Sequence, residues 1–373
     1  MKTHAFLASL AFCLLVPSCL HASENSITYP GKSGPGMGKH IVFIAGDEEY
    51  RSEEALPMLA KILSQRHGFN CTVLFSVNPD GTINPDATKS LSDPETLDSA
   101  DAIVMSQRFR NWPDETLARF DKFLLAGKPI VAMRTSTHAF NSIPRTSPWA
   151  KWNFNNHGGF GRQVLGETWV NHWARHKIEA TRGIIEPGAE TDPILRGVTD
   201  VFGDTDVYEA YPADDSKILL RGQALKGMNP ADPPADYKKK RQNDKQEQGI
   251  NDPMMPVAWT RLYRNDAGKV NRIFCTTMGA ATDYLNEGMR RLIVNAVYWG
   301  LEMPVPASAD VAFVDDYKPK QYGAVMYGAE LNGPRDFRKA IKPSDHALGK
   351  VLPMGNAAAK PSASTAEPPA PVK

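Results

Sequence analysis

The chain has 373 residues, of which 42% are apolar and 23% are charged, an ordinary composition for a globular protein with a sizeable core. Its 43 basic and 42 acidic side chains give a formal net charge of +1. This balance gives no electrostatic reason to expect nucleic acid or an anionic membrane surface as a partner. We therefore expect a small, neutral or weakly charged ligand.

The N-terminal residues 1–22 have the layout of a secretory signal peptide. Lys2 precedes an apolar run from Ala5 to Val16, and small residues follow the run. The run is too short for a comfortable transmembrane span. The stretch "VPSC", which ends at Cys19, also loosely resembles a bacterial lipoprotein cleavage site. We predict an exported protein, periplasmic or extracellular, either free or anchored by a lipid on Cys19.

Four short apolar runs alternate with amphipathic helical patterns between residues 40 and 140. The runs are "IVFIA" (41–45), "CTVLF" (71–75), "AIVM" (102–105) and "PIVAM" (129–133). Continuous apolar strands separated by helices are typical of a parallel sheet that is covered on both faces. Two strands joined by a turn are predicted within 256–279, and a helix is predicted over 286–301. The predicted fold class is therefore α/β, with a mostly parallel sheet and helices on both faces.

The main domain is predicted to extend from about residue 38 to 305. It contains a polar, Pro-containing stretch at about 223–255, which we interpret as a surface insertion. Residues 306–356 form a C-terminal extension. Residues 357–373 are rich in Ala, Pro and Ser and have no apolar period, so we predict a disordered tail.

Two loops follow predicted strands at the edge where ligands bind in open parallel α/β sheets. The first, "GDEEYRSEEALP", places Asp47 and Glu48 after the first strand, and the second, "RTSTHAF", places Arg134 and His138 after the fourth. Ser136 does not lie on a Gly-x-Ser-x-Gly elbow, so the pattern does not favour it as a nucleophile. A neutral imidazole such as that of His138 can be a base, a metal ligand or a hydrogen-bonding group for a sugar hydroxyl.

Three of the nine histidines, with Arg162 and Trp169 among them, fall within the stretch 155–177. The three are His157, His172 and His176. His172 and His176 are four residues apart, which on a helix would place both on one face, as a metal pair requires. The residues that follow alternate like a strand, however, so three hypotheses stay open. One is a divalent metal such as zinc, with His138, His172 and His176 as candidate ligands. The second is a sugar-facing cluster in which Trp rings stack on a pyranose, and the third is that these histidines are structural.

A third candidate is the acidic and aromatic stretch "GDTDVYEAY" at 203–211. It contains Tyr208 and Glu209, and Asp204 and Asp206 lie just before them. Buried carboxylates near a partner can serve as acid or base. A solvated acidic turn before the next strand is the alternative interpretation.

In these motifs and their order, the chain resembles the trehalose-utilisation, or ThuA-like, family from about residue 40 to 304. The resemblance is carried by "GDEEYRSEEALP", "IVAMRTSTHAF", "GRQVLGETWVNHWARHK" with "DVYEAY", and "RIFCTTMGAATDYLNEGMRRLIVNAVYWGLE". It implies a flavodoxin-like sheet similar to class I glutamine amidotransferases, without the amidotransferase cysteine. It also implies site residues at His138, at the His172 region and around Glu209. Where many relatives carry a Gly-His pair, this chain has Met278 and Gly279, and Asp283 is the residue that would compensate.

The leading functional hypothesis is an enzyme that acts on a carbohydrate, such as an oxidised disaccharide or a glycoside, by histidine-based acid/base chemistry and not as an amidotransferase. A non-catalytic carbohydrate-binding protein and a metal-dependent hydrolase are the alternatives. The sequence leaves the oligomeric state open. The catalytic candidates are His138, His172 and Glu209, and the substrate-binding candidates are Asp47, Glu48, Arg134, His157, Arg162, Trp169, Tyr208 and Asp283.

Overall fold

The computed structural model describes residues 24–323, 341–350 and 352. The predicted signal peptide with Cys19 and the predicted tail 357–373 lie outside these residues. Within the described part, every helix is too short or too polar to cross a bilayer.

The described residues form three α-helices and fourteen β-strands. The helices are α1 (Ser52–His67), α2 (Asp114–Leu125) and α3 (Glu287–Gly300). The strands are β1 (Ser26–Tyr29), β2 (His40–Gly46), β3 (Asn70–Phe75), β4 (Ala102–Gln107), β5 (Ile130–Met133), β6 (Asn171–His172), β7 (Thr181–Ile185), β8 (Phe202–Gly203), β9 (Tyr208–Glu209), β10 (Ser216–Ala224), β11 (Lys238–Lys240), β12 (Glu247–Gly249), β13 (Met255–Arg264) and β14 (Val270–Thr276).

Ten of these strands form one sheet in the order β1-β3-β2-β4-β5-β14-β13-β10-β7-β8. The five central strands, β3, β2, β4, β5 and β14, pair in parallel, and the flanking strands pair antiparallel. The predicted α/β fold with parallel strands at 41–45, 71–75, 102–105 and 129–133 is therefore confirmed. The sheet also has an antiparallel half, which begins at the predicted strand pair within 256–279.

The central strands are buried on both faces because helices cover both sides of the sheet. Alternate residues of one strand point to opposite faces, so Phe43 packs with α1 and α3 on one side. Its neighbour Ile44 packs with α2 and an aromatic cluster around Phe140 on the other side. Continuous apolar runs are required at such positions, and this is why the four runs were readable from the sequence.

The stretch around His172 is not helical. His172 belongs to the two-residue strand β6, which pairs with β9, and His176 follows in the turn. The helical interpretation of the four-residue spacing is therefore wrong, although the two imidazoles still meet. Within the insertion 223–255, β11 and β12 form a hairpin that packs against β6 and β9 through side-chain contacts.

Candidate functional site

The carboxyl ends of β2, β4, β5 and β14 lie at one edge of the sheet. Numbered along the chain, the five parallel strands have the order 2-1-3-4-5 of doubly wound flavodoxin-like sheets. The next strand along the chain, β3, lies on one side of β2, and the strand after it, β4, lies on the other side. The loops after β2 and β4 therefore flank the topological switch point, where such sheets bind their ligands. The loops 47–51, 108–110 and 134–138 meet there, and the β6–β9 pair packs over them.

Asp206 lies at the centre of the site and is almost fully buried. Its carboxylate accepts hydrogen bonds from His172 Nδ1 at 2.7 Å, His176 Nδ1 at 2.9 Å and an Arg134 terminal nitrogen at 2.9 Å. Burial alone would raise the pKa of Asp206. The positive charge of Arg134 and the two histidine hydrogen bonds lower it by more than burial raises it, so the pKa lies well below its ordinary value. Asp206 is therefore an ionised carboxylate that three basic groups share.

The pairing of β6 with β9 decides which side chains join Asp206. His172 lies opposite Tyr208, and Asn171 lies opposite Glu209. Since successive strand residues point to opposite faces, His172 and Tyr208 share one face while Glu209 points to the other. The register thus brings His172 and Tyr208 into the site and takes Glu209 out of it.

Arg134 supplies the fixed positive charge beneath Asp206. It is the first residue after β5, it has a left-handed φ of 46°, and its side chain is fully buried. The guanidinium lies 3.7 Å from the centre of the Tyr208 ring and also donates to Tyr50 Oη at 3.1 Å. Arg134 is therefore held by packing, cation–π contact and charge, and it has little freedom to move.

The two histidines that share Asp206 differ in their second nitrogen. His176 Nε2 lies 3.3 Å from Glu49 Oε1. Burial lowers the pKa of His176, but the hydrogen bonds to Asp206 and Glu49 raise it above its ordinary value, which favours the imidazolium. Asp206 is ionised, so the Nδ1 of His172 carries the hydrogen of this bond, and in the neutral imidazole Nε2 is the acceptor. The His172 side chain is 32% exposed, and both nitrogens of His176 lie at carboxylates, so His172 is the candidate base of the pair.

His138 is buried in an aromatic surrounding. Its ring centre lies 5.1 Å from that of Phe109 and 5.6 Å from that of Trp169, and its Nδ1 is 3.2 Å from Thr137 Oγ1. Burial, followed by the charges of Arg108 and Arg134, lowers the pKa of His138 well below its ordinary value. His138 is therefore a neutral imidazole.

Trp169 connects the two parts of the site. Its ring centre lies 5.6 Å from that of His138 and 5.9 Å from that of His172. Its side chain is only partly buried, as are those of Phe109 and Phe154 beside His138. Phe109 and Phe154 thus line the site beside His138, and Trp169 extends this apolar surface to His172.

The acidic loop after β2 is held mainly by internal contacts. Asp47 is fully buried, accepts from the backbone amides of Glu49 and Tyr50 at 2.9 and 3.0 Å, and also bonds Thr135. Burial raises the pKa values of Asp47 and Glu48. Asp47 therefore shapes the loop and does not present a free carboxylate to a ligand.

Glu48 faces the arginines that follow β4. It pairs with Arg108 and with Arg110, the latter at 3.1 Å. Arg108 also lies 3.3 Å from Glu49, the residue that contacts His176. The loops after β2 and β4 are thus locked together by charge at the switch point.

The structure places three other predicted site residues, Glu209, Asp283 and Arg162, in contacts that hold the backbone, and it places a fourth, His157, in an exposed turn. Glu209 accepts from the backbone amides of Gln242 and Asn243, at 2.8 and 3.1 Å, and so anchors the hairpin insertion. Asp283 accepts from Gly279 N at 2.8 Å and from Thr205 Oγ1 at 2.7 Å, so it secures the turn after β14.

Arg162 and His157 are the other two. Arg162 donates to the carbonyl of Tyr211 at 2.7 Å and lies 3.3 Å from the carboxylate of Glu167. His157 is exposed, in a turn with a left-handed φ of 50°. The structure thus brings together His138, His172, His176, Arg134, Trp169 and Tyr208, and it gives Glu209, Asp283, Arg162 and His157 other surroundings.

The site also contains four residues that were not among the catalytic and substrate-binding candidates. Asp206, Glu49 and Tyr50 lie within the candidate stretches 203–211 and 46–57, and Arg108 lies outside them. The sequence carried a signal for Asp206, because it lies two residues before Tyr208 and alternation assigns such a pair to one side of a strand. Arg108 follows the apolar run of β4 directly, a position that is also at the ligand edge.

His172, His176 and Asp206 are the set that fits a metal ion among the described residues. Each offers one ligand atom, and these atoms lie within 4.8 Å of one another. Two imidazoles and a carboxylate are a known donor set for catalytic zinc, with ligand atoms about 3.3 Å apart around a tetrahedral ion. His138 is not part of this set. The ion pair of Asp206 with Arg134 disfavours the binding of a metal ion, because the guanidinium already neutralises the carboxylate.

The strand order and the polar groups at the switch point define a flavodoxin-like α/β protein with a ligand site at the carboxyl edge of its sheet. The family model for ThuA, described as trehalose utilisation, matches residues 40–300. The chain therefore belongs to the ThuA family. No curated protein matches the chain.

Three solved structures illustrate the similarity of fold. A ThuA-like protein of Parabacteroides merdae is 14% identical with a TM-score of 0.43, covering 77% of this chain and 97% of that one. A ThuA-like protein of Bacteroides uniformis is 16% identical with a TM-score of 0.39, covering 73% and 94%. The glutaminase domain of the Trypanosoma brucei CTPS, solved with bound acivicin, is 10% identical with a TM-score of 0.32, covering 73% and 98%.

Proposed function

We propose that this chain is an enzyme that transfers protons on a carbohydrate, such as a keto-disaccharide or a glycoside, with His172 as the general base. The observation that carries the proposal is the Asp206–His172 pair, in which the carboxylate bonds Nδ1 and the imidazole belongs to a side chain that is 32% exposed. A carboxylate that fixes the tautomer of a histidine in this way is the arrangement by which enzymes orient a catalytic imidazole.

The neighbouring groups support proton transfer next to a carbonyl. Abstraction of such a proton needs a base near neutral pKa and a positive group that stabilises the negative charge formed on oxygen. His176, whose pKa is raised by its hydrogen bonds to Asp206 and Glu49, lies beside His172 with a ring-centre distance of 4.4 Å. Because both of its nitrogens already bond carboxylates, it would contribute positive charge and not a hydrogen bond to the oxygen. His138 is neutral and would donate or accept a hydrogen bond to a sugar hydroxyl.

The carbohydrate part of the proposal is supported by the family and by the aromatic surface. The chain belongs to a family described by trehalose utilisation. Phe109, Phe154 and Trp169 line the site beside polar nitrogen atoms. An apolar face for the sugar ring combined with a few directed polar groups is the usual composition of a small-molecule site.

Export is also proposed, from the signal-like residues 1–22. The mature N-terminus of the protein made in its host, read by mass spectrometry, tests this part. A terminus near residue 23 supports a free exported protein, a lipid-modified Cys19 supports anchoring, and an unprocessed Met1 contradicts both.

The test of the chemistry compares His172→Gln with the wild type on keto-disaccharides and glycosides, with His157→Gln as an exposed control. We expect His172→Gln to reduce kcat by about 10²–10⁴-fold, the usual contribution of a general base, while ligand affinity changes little. His157→Gln should keep full activity. Sugar binding without turnover in the wild type would instead indicate a non-catalytic binding protein.

The group formed by His172, His176 and Asp206 supports a second candidate, a metal-dependent hydrolase. Elemental analysis of the wild type beside the double variant His172→Ala/His176→Ala separates the two. About one divalent ion per chain that is lost in the variant would favour the hydrolase. Full turnover after treatment of the wild type with a chelator would favour acid/base chemistry by the protein groups.

A further inference from the structure

The C-terminal segment 317–323 runs along the acidic loop of the site. This segment lies beyond residues 40–300, which the family model matches. The backbone amide of Gly323 donates to the carbonyl of Glu49 at 2.8 Å, and Arg51 Nε donates to the carbonyl of Gln321 at 2.8 Å. The first contact holds the backbone at Glu49, the partner of His176, and the second ties the Arg51 side chain of the same loop to the segment.

Tyr322 brings the segment into contact with the histidine pair. Its ring stacks on that of Tyr50 with centres 5.2 Å apart, and its centre lies 5.8 Å from that of His176. Its hydroxyl donates to the carbonyl of Asp204 at 3.0 Å, and the side chain is buried. His176 is thus enclosed by the rings of His172, Tyr50 and Tyr322.

We propose that the C-terminal segment is part of the active site, with Tyr322 as the positioning residue that keeps His176 in contact with both Glu49 and Asp206. The physical reason is steric. An imidazole turns about two side-chain torsions, and the Tyr322 ring fills the space into which His176 would turn away from Glu49. The effect of Tyr322 on turnover rests on the proposed function. Its effect on the orientation of His176 does not, because that orientation can be measured without a substrate.

The substrate-free experiment measures how fast diethyl pyrocarbonate modifies each histidine, read by peptide mass spectrometry. In the wild type we expect slow modification of His176, since both of its nitrogens lie at carboxylates, and faster modification of His172, whose side chain is more exposed and bonds Asp206 through Nδ1. Tyr322→Leu should raise the rate at His176 by about tenfold, because it frees a nitrogen from its hydrogen bond. Tyr322→Phe keeps the ring and should leave the rate near that of the wild type.

Tyr317→Leu is the matched control. Tyr317 lies on the same segment, donates to the carbonyl of Ala281 at 2.7 Å and packs against Phe313. This variant removes a tyrosine of equal size and should lower stability without changing the rate at His176. An equal rate at His176 in Tyr322→Leu and the wild type would overturn the proposal, as would an equal increase in Tyr317→Leu.

If Tyr322→Leu does not fold, Tyr322→Met provides the test. Methionine fills the buried position with a flexible apolar side chain and removes the ring that lies against His176. The expected result is again faster modification of His176, and no change would overturn the proposal. In turnover assays, Tyr322→Leu should lower kcat more than it raises KM. If no carbohydrate is turned over by the wild type, the proposed function fails, whereas the modification rates still decide the role of Tyr322.

Discussion

Asp206 interacts with three basic side chains of the site. It is fully buried with Arg134 and bonds both His172 and His176. Removing one partner of a buried ion pair leaves the other charge without compensation, which is far more costly than losing an exposed pair.

We expect Asp206→Asn to lower the free energy of unfolding by about 3–5 kcal/mol, because the buried guanidinium of Arg134 loses its counter-charge. The control is Asp215→Asn, which breaks an exposed pair with Arg261 and should cost about 0–1 kcal/mol. Urea unfolding of the two variants and the wild type measures both values. Equal losses in the two variants would contradict the buried ion pair.

Asp204, at the edge of the site, makes the stability of the folded protein depend on pH. Burial, together with the negative charge of Asp283, raises the pKa of Asp204 from 3.8 to about 7. The folded state therefore binds this proton more tightly than the unfolded state. The contribution of Asp204 to stability is complete below about pH 4 and is lost as the pH rises through about 7.

Replacing Asp204 by Asn removes the titration and should flatten the decrease in stability between about pH 5 and about pH 8. The urea midpoints of Asp204→Asn and the wild type, measured at both pH values, test this. Asp200→Asn, at an exposed position nearby, serves as the control and should follow the wild type. Parallel pH profiles for all three proteins would show that Asp204 does not carry the effect.

At the scale of elements, the hairpin β11–β12 holds the strand that carries His172. Lys239 donates to the carbonyls of His172 and Trp173, at 2.7 and 2.9 Å. Its neighbour Lys238 is exposed and only approaches Glu247, at 3.6 Å. The insertion, which reads as a polar loop in the sequence, is therefore tied to the candidate base.

Lys239→Met should lower kcat by about 10–100-fold with a smaller change in KM, because a small displacement of a catalytic group is costly for the rate. Lys238→Met should behave as the wild type. Steady-state kinetics of the two variants, with hydrogen exchange at β6 as a structural readout, compares them. Unchanged kcat and unchanged exchange in Lys239→Met would mean that the hairpin does not position His172.

The fold could be predicted from the sequence more fully than the site, because the long central strands have a sequence pattern and the short strands of the site do not. β2, β3, β4 and β5 are buried on both faces, and burial requires apolar runs that are visible in any sequence. β6 and β9 have two residues each, so they have no period, and their pairing arises from tertiary contacts. His138 was predicted from its residue type and its position after a strand, and His172 from the clustering of histidines within 155–177. Tyr208 and Glu209 are neighbours in the sequence, and only the register of β9 against β6 decides that Tyr208 faces the site and Glu209 does not.

At the scale of the whole molecule, residues beyond 300 are built into the fold. Val311 and Tyr322 are buried, and Asp310 and Asp315 contact α1 through His67 and Lys61, at 2.8 and 2.6 Å. These contacts cover α1 and the loop before it. The part of the chain that carries the family signature therefore depends on a segment outside it.

We expect a chain that ends at residue 305 to lose most of its stability. Burial of Val311, Tyr322 and their neighbours is worth on the order of 5 kcal/mol at about 1.5–3 kcal/mol for each large side chain. Domains of this kind are stable by only about 5–15 kcal/mol in total. Thermal unfolding followed by circular dichroism measures the change, with a chain that ends at residue 356 as the control. The control lacks only the tail predicted to be disordered, so it should unfold at the wild-type temperature. Equal unfolding temperatures for the wild type and both shortened chains would show that the segment after 305 is dispensable.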